Sequence, residues 1–277
     1  MRHLRTAACT LALMVLCLVP GHAAIIFNFP NFSSCAGLQI NGNAACTGGV
    51  LRVTPATFSQ SGSAFSTVPV SLGAGASFST LFSFQITASG GSADSDGLGA
   101  DGIVFVVQPV ANNVGGGGGG IGYQGIPTSL GVEFDTWNNG LPGDPDGNHI
   151  GVDLNGSVTS VTTTPIAARI NDGSVWYSWI DYDGSVLEVR LSQTNVRPAT
   201  ATMSYTVNLA SVLGTTTAFV GFTSGTGAAF GNHDILTWQF DDVFAPIGVP
   251  VLPSLAFGLL ALLLAAAGFS ALRTLRT

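Results

Sequence analysis

EFDTWNNGLPGDPDGNH, Glu133–His149, is the stretch that decides the reading of this chain. It packs Glu133, Asp135, Asn139, Asp144, Asp146 and His149 into seventeen residues, although the 277-residue chain holds only two glutamates and four histidines. The run LGVEFDT reads as a strand, so Glu133 and Asp135, two apart, point to one face. The loop after it is broken by Gly140, Pro142, Gly143, Pro145 and Gly147, which let it fold back over that face. Carboxylates, an amide and one imidazole suit a pair of divalent cations. An oxygen-only site suits Ca²⁺, and a site with one imidazole suits Mn²⁺ or a similar transition metal. The competing reading is an acidic, solvated turn region, since such turns share this composition.

Working outward, short β-rich runs alternate with Gly, Ser, Asn and Asp clusters, and no stripe of helical period appears. In FSTLFSFQI, Phe78, Phe82, Phe84 and Ile86 alternate with Ser79, Ser83 and Gln85, as on a half-buried strand. Leu187, Val189 and Leu191 alternate with Glu188 and Arg190 in the same way. Ile103–Val107, IVFVV, is apolar on both faces and reads as a central strand. Further strands are expected near Ile25–Phe29, Val50–Val53, Leu130–Asp135, Ile150–Leu154, Val175–Asp181, Met203–Leu209, Ala218–Phe222 and Ile235–Phe240. About a dozen strands without interposed helices predict an all-β fold, an antiparallel sandwich. The six-glycine run Gly115–Gly120 lies between two strand signals. It is read as a binding loop rather than a linker, because glycine lets a ligand approach the backbone.

Both ends differ from this middle. Residues 1–23 read as a secretory signal: Arg2 and Arg5, an apolar Leu11–Val19, and Gly21-His22-Ala23 before the cleavage point. Residues 247–254 form a Pro-containing linker with VPVLP at Val249–Pro253. Leu255–Leu272 is long enough to span a bilayer as one transmembrane helix, and Arg273 and Arg276 mark 273–277 as a basic cytoplasmic end. The tail resembles the C-terminal sorting segments of bacterial surface proteins, the PEP-CTERM and related classes, with VPVLP where their PEP signature stands. The expected product is exported and held at a bacterial cell surface, with the membrane as a partner, or released to the matrix. Between the ends, residues 24–246 suit one large β domain.

There is no lysine, and removing the four terminal arginines leaves four basic residues against fifteen acids, a net charge of −11. A nucleic-acid partner is excluded on that balance, and cation capture is favoured. Cys35 and Cys46 flank CAGLQINGNAAC and are expected as a disulfide in an oxidising compartment. Free thiols or half a metal site fit less well, because no further Cys or nearby His completes a zinc set.

The string E-F-D-T-W-x-N…D-P…H-I-G resembles the metal loop of legume-type (L-type) lectins, including Thr136, Pro145, Ile150 and Gly151, which bind no metal. The resemblance runs in order through FNFPNF, LQINGNA, LRVTPA, FSTLFSFQI, ADGIVFVVQP, GGGGGGIGYQGI, GVEFDTW, HIGVDLN, WIDYDGSVLEVRLS, FVGFTSGTG and HDILTWQF. It implies a jelly-roll β-sandwich of the concanavalin A-like lectin type, binding sugar on one rim. By the same comparison, Glu133 and His149 are implied as ligands of Mn²⁺ or another transition metal, and Asp135 and Asp144 as bridges to both metals. Asn139 and the Trp137 carbonyl are implied as Ca²⁺ ligands, and Asp146 as a turn residue. Thr159 or Ser160 would support the metal ligands. Asp101, after a cis bond from Ala100, would accept hydrogen bonds from two sugar hydroxyls. The Asn139 amide, the Trp137 ring face, an amide of Gly118 or Gly119, and the backbone of Gly227, Ala228 and Ala229 would complete the carbohydrate site. His233 is read as structural. The longer glycine run and the short loop GTGAAFGN leave sugar preference unassigned. The oligomeric state is also open, a homo-oligomer among the options.

Two other classes compete. Laminarinase-type hydrolases on a similar sandwich use E-x-D-x-x-E, but Trp137 and Asn138 stand where the second glutamate belongs, and Glu188 lies on another strand. A retaining mechanism needs two carboxyls about 5 Å apart. The chain is therefore read as no enzyme. A matrix scaffold that keeps fold and metals without sugar binding is opposed by the intact Asp101, Trp137 and Asn139.

Overall fold

The computed structural model describes residues 25–72, 76–140 and 142–248. The expected signal segment, the linker from Val249 on and the transmembrane helix lie outside them. Among the described residues no helix is long and apolar enough to cross a membrane. In chain order the strands are β1 (Ile25–Phe29), β2 (Leu38–Gly42), β3 (Ala45–Thr47), β4 (Val50–Thr54), β5 (Ser61–Ser66), β6 (Val70–Ser71), β7 (Phe78–Gly91) and β8 (Gly102–Gln108). They continue with β9 (Leu130–Asp135), β10 (His149–Leu154), β11 (Thr162–Pro165), β12 (Val175–Tyr182), β13 (Val186–Ser192), β14 (Met203–Thr206), β15 (Thr217–Gly225) and β16 (Ala229–Asp241).

All pairings among them are antiparallel. One sheet runs β14-β13-β12-β7-β16-β4-β3, with β1 also on β16. The other runs β11-β10-β9-β8-β15-β5-β2, with β6 also on β15. The expected sandwich is therefore present. The expectation of no helices needs one correction: a five-residue helix, α1, spans Leu209–Leu213. Asn208 caps its start by accepting from Ser211 N–H, and Gly214 closes it in the left-handed conformation. One turn is too short to display a helical period.

The alternating strands face their apolar residues into the space between the sheets. Phe82 of β7 packs against Phe222 of β15, Phe134 of β9 and Phe105 of β8, with ring centroids 5.0, 5.7 and 6.0 Å apart. β8 is buried along its whole length for a different reason. Ile103, Phe105 and Val107 enter the main core, whereas Val104 and Val106 are covered from the other side by Ile121, Tyr123 and Ile126 of the loop that follows the glycine run. A strand covered on both faces reads as a continuous apolar run. Cys35 and Cys46 are bonded, with Cα atoms 5.8 Å apart.

Candidate metal and ligand site

The register of the second sheet assembles the site. His149 pairs with Asp135, Asp135 with Gly102, and Gly102 with Gly225, so the ends of β10, β9, β8 and β15 form one row. The loops leaving that row share one rim. Period-two alternation sends Phe134, Ile150 and Val152 into the core and leaves Glu133, Asp135 and His149 on the other face. One ligand atom from each of these three lies within 4.8 Å of the others. Gly151, opposite Glu133, makes room for it: a Cβ there would stand 2.3 Å from Glu133 Oε1.

The imidazole is held in one tautomer. His149 Nδ1 lies 2.9 Å from the Asp146 carbonyl, which can only accept, so in the neutral ring Nδ1 carries the proton and Nε2 the lone pair. Nε2 is buried without a hydrogen-bond partner. Glu133 Oε1 stands 3.3 Å from it, within ion-pair range but without hydrogen-bond alignment. Asp144 enters from the loop, its Oδ2 accepting from Asn139 N–H at 2.5 Å and its Oδ1 buried without a partner. Asp135 Oδ1 accepts from Trp137 N–H at 2.6 Å.

The electrostatics match a cation site. Burial, and then the Glu133 charge, hold Asp135 well above the ordinary carboxylate range. Burial also raises Asp144. Burial lowers the His149 ring, but the Glu133 carboxylate outweighs it and the net shift is upward. Groups that repel one another into protonation are groups a divalent cation would discharge. The donors fit both an oxygen-bound cation and one that adds an imidazole.

Two supporting residues complete this part. Ser160, and not Thr159, touches Glu133: its hydroxyl contacts Glu133 Oε1 and Asp153 Oδ1, the latter at 2.8 Å. Asp153 was missed in the sequence, although it shares the alternating face of His149 and Gly151. Buried, and facing the Glu133 charge, it is raised well above the carboxylate range.

Asp101 lies at the same rim, only 4% exposed, with Oδ2 buried and unpartnered. Its peptide bond with Ala100 is cis, as the resemblance implied. Its N–H donates to the Gly225 carbonyl and its own carbonyl accepts from Thr136 N–H, which ties it to the end of β15 and to the residue after β9. Burial raises its carboxyl to about 7. Gly119, in the 3-10 turn Gly118–Gly120, faces Asn139: a Cβ there would stand 2.8 Å from Asn139 Nδ2. A Cβ on Gly227 would stand 3.8 Å from Asp101 Oδ2. Trp137 is half-buried and Asn139 exposed. In the last loop only Ala228 is exposed. Gly227 N–H donates to the Ala229 carbonyl, and Ala229 pairs with Gly91 as the start of β16.

The model of the legume lectin domain matches residues 24–247. The chain belongs to the legume lectin domain family. This legume lectin domain is 31% identical over 223 residues to a lectin of Lathyrus sphaericus, covering 76% of this chain and 88% of that protein. It is 30% identical over 256 residues to the L-type lectin-domain containing receptor kinase VIII.1 of Arabidopsis thaliana, covering 83% of this chain but 34% of the kinase. The chain thus spans about a third of the length of the receptor kinases it matches. Among solved structures, lectin II of Ulex europaeus aligns with a TM-score of 0.63 at 30% identity, over 78% of this chain and 97% of that one. The lectin of Bauhinia forficata in complex with GalNAc aligns with a TM-score of 0.65 at 26% identity, over 78% and 96%. These domains are carbohydrate-binding and non-enzymatic, so the hydrolase reading is dropped. The named relatives are plant proteins, and the tail expected to be of a bacterial sorting type lies, from Val249 on, outside the described residues.

Proposed function

We propose that this legume lectin domain is a metal-dependent carbohydrate-binding protein, exported and displayed at a cell surface or in its matrix. The observation that carries the reading is the shared rim: Asp101, Gly119 and Asn139 converge beside the cluster of Glu133, Asp135 and His149, with Asp144 tied to Asn139 N–H. Glu133 and His149 would hold a transition ion such as Mn²⁺. Asn139 and the Trp137 carbonyl would hold Ca²⁺, with Asp135 and Asp144 between the two. Bound cations would neutralise the carboxylates and fix the loop.

The chain's own groups then read the sugar. Asp101, acceptor-only when ionised, takes two hydroxyl hydrogens, and the Asn139 amide donates to a third hydroxyl. Trp137 offers a ring face to the C–H face of a pyranose. Gly118 or Gly119 and the Gly227–Ala229 loop close the sides. Export and display rest on residues 1–23 and 249–277 of the sequence. Glycan binding by the full chain, with and without chelator, tests the reading.

A further inference from the structure

We infer that the hairpin Ala93–Leu98 is the brace of the metal loop, and that Asp94 is the residue that positions its calcium arm. The inference rests on the metal reading above and deepens it.

Ala93 and Leu98 form a bridge, and Asp94 N–H donates to the Gly97 carbonyl, so the segment is a closed turn. Asp94 Oδ1 accepts from Asp96 N–H at 2.8 Å and Gly97 N–H at 3.0 Å. Its Oδ2 accepts from Asn138 N–H at 2.9 Å. Asp96 Oδ2 accepts from Gly147 N–H at 2.9 Å. The hairpin therefore grips both arms of the loop, one just before Asn139 and the other just before His149. Among the described residues, 137–147 make only these two hydrogen bonds to the chain outside 135–149.

Asp94 is a positioning group: it accepts three backbone N–H bonds and is not one of the clustered residues Glu133, Asp135 and His149. A carboxylate accepting three N–H bonds fixes its partners by charge-assisted contacts, stronger than neutral ones. The ligands divide accordingly. Glu133, Asp135 and His149 sit on β9 and β10 and are fixed by the sheet. Asn139 sits on an exposed, glycine-rich arm whose outside tie is Asp94. Without that tie, the arm must be ordered when the cation binds, and affinity falls. Gly147 reports on the same contact, since a Cβ there would stand 2.1 Å from Asp94 Oδ2 and push the carboxylate off Asn138.

The test uses the full chain as wild type, Asp94→Ala, Gly147→Ala and the double variant. Ca²⁺ affinity is measured by calorimetry with Mn²⁺ present, and Mn²⁺ coordination by electron paramagnetic resonance. The expected result is a roughly tenfold weaker Ca²⁺ affinity for Asp94→Ala, with a smaller change in Mn²⁺ binding, because Glu133, Asp135 and His149 sit on the sheet and only Asp144 on the loop. Gly147→Ala weakens Ca²⁺ in the wild-type background and adds less in the Asp94→Ala background. It also provides the answer if Asp94→Ala fails to fold. Unchanged Ca²⁺ affinity in both single variants overturns the brace and leaves the lectin reading standing. Equal loss of both metals overturns the assignment to the calcium arm. A wild type that takes up neither cation overturns the metal reading and the brace with it.

Discussion

Asn139 N–H lies 2.5 Å from Asp144 Oδ2, while Oδ1 of the same carboxylate is buried with no partner. One oxygen thus closes the loop and the other faces the cluster. Buried polar atoms are rarely left unsatisfied. Together with the unpartnered His149 Nε2, this oxygen points to a cation as the missing partner.

Chelation is therefore expected to destabilise the domain. A cation at a hundred times its Kd stabilises the native state by about 2.7 kcal/mol. For a domain of this size that corresponds to roughly 5–10 °C in Tm. Scanning calorimetry with EDTA and with added Ca²⁺ and Mn²⁺ checks it. Asp144→Ala should shrink the difference between the two scans.

Asp101→Ala is expected to abolish sugar binding while far-UV circular dichroism and Tm stay near wild type. The carboxylate is buried with an orphan oxygen, so removing it takes away a ligand acceptor rather than a structural bond. Retained binding would place the site elsewhere.

Gly119→Ala is expected to weaken sugar binding about tenfold or more without unfolding the domain. Gly119 is exposed, and the added methyl meets the Asn139 amide, not the core. A glycan titration of the variant, with Tm as control, decides it. Unchanged affinity would remove Gly119 from the site.

Beneath Asp101, a buried chain joins the two sheets: His233 Nδ1 to Thr54 Oγ1 at 2.8 Å, Thr54 to Ser224 Oγ at 2.8 Å, and Ser224 Oγ to the Gly102 carbonyl at 2.7 Å. Burial lowers His233 from 6.5 to about 3. Between those values the unfolded state binds a proton that the folded state refuses, so this group's contribution to stability falls as pH falls. Raised carboxylates such as Asp135 act in the opposite sense, so the comparison must be between variants. Urea denaturation of wild type and His233→Asn, both with EDTA, should show a smaller loss for the variant from pH 6.5 to pH 4. Parallel curves would contradict it.

Much of this was legible because two codes coincide in one stretch. In EFD, alternation alone separates Phe134 from Glu133 and Asp135, and β9 begins and ends where LGVEFD does. β5, SGSAFS, was not legible. It carries almost no apolar alternation and is a strand because β15 and β2 flank it, with Gly62 packed so closely that a Cβ would lie 1.9 Å from the Val53 carbonyl. The short strands β2, β3, β6 and β11 are likewise set by their neighbours. Asp94 and Asp96 were not singled out in the sequence, because what they hold is the backbone of residues some fifty positions away.

The measurement that tests the central claim most directly is a glycan-array screen of the full chain, run with Ca²⁺ and Mn²⁺ and again with EDTA. The account predicts binding to a defined set of sugars that disappears with the metals. No binding in either condition, from folded and metal-loaded protein, would contradict it and point to a surface scaffold that keeps the lectin fold without its ligand.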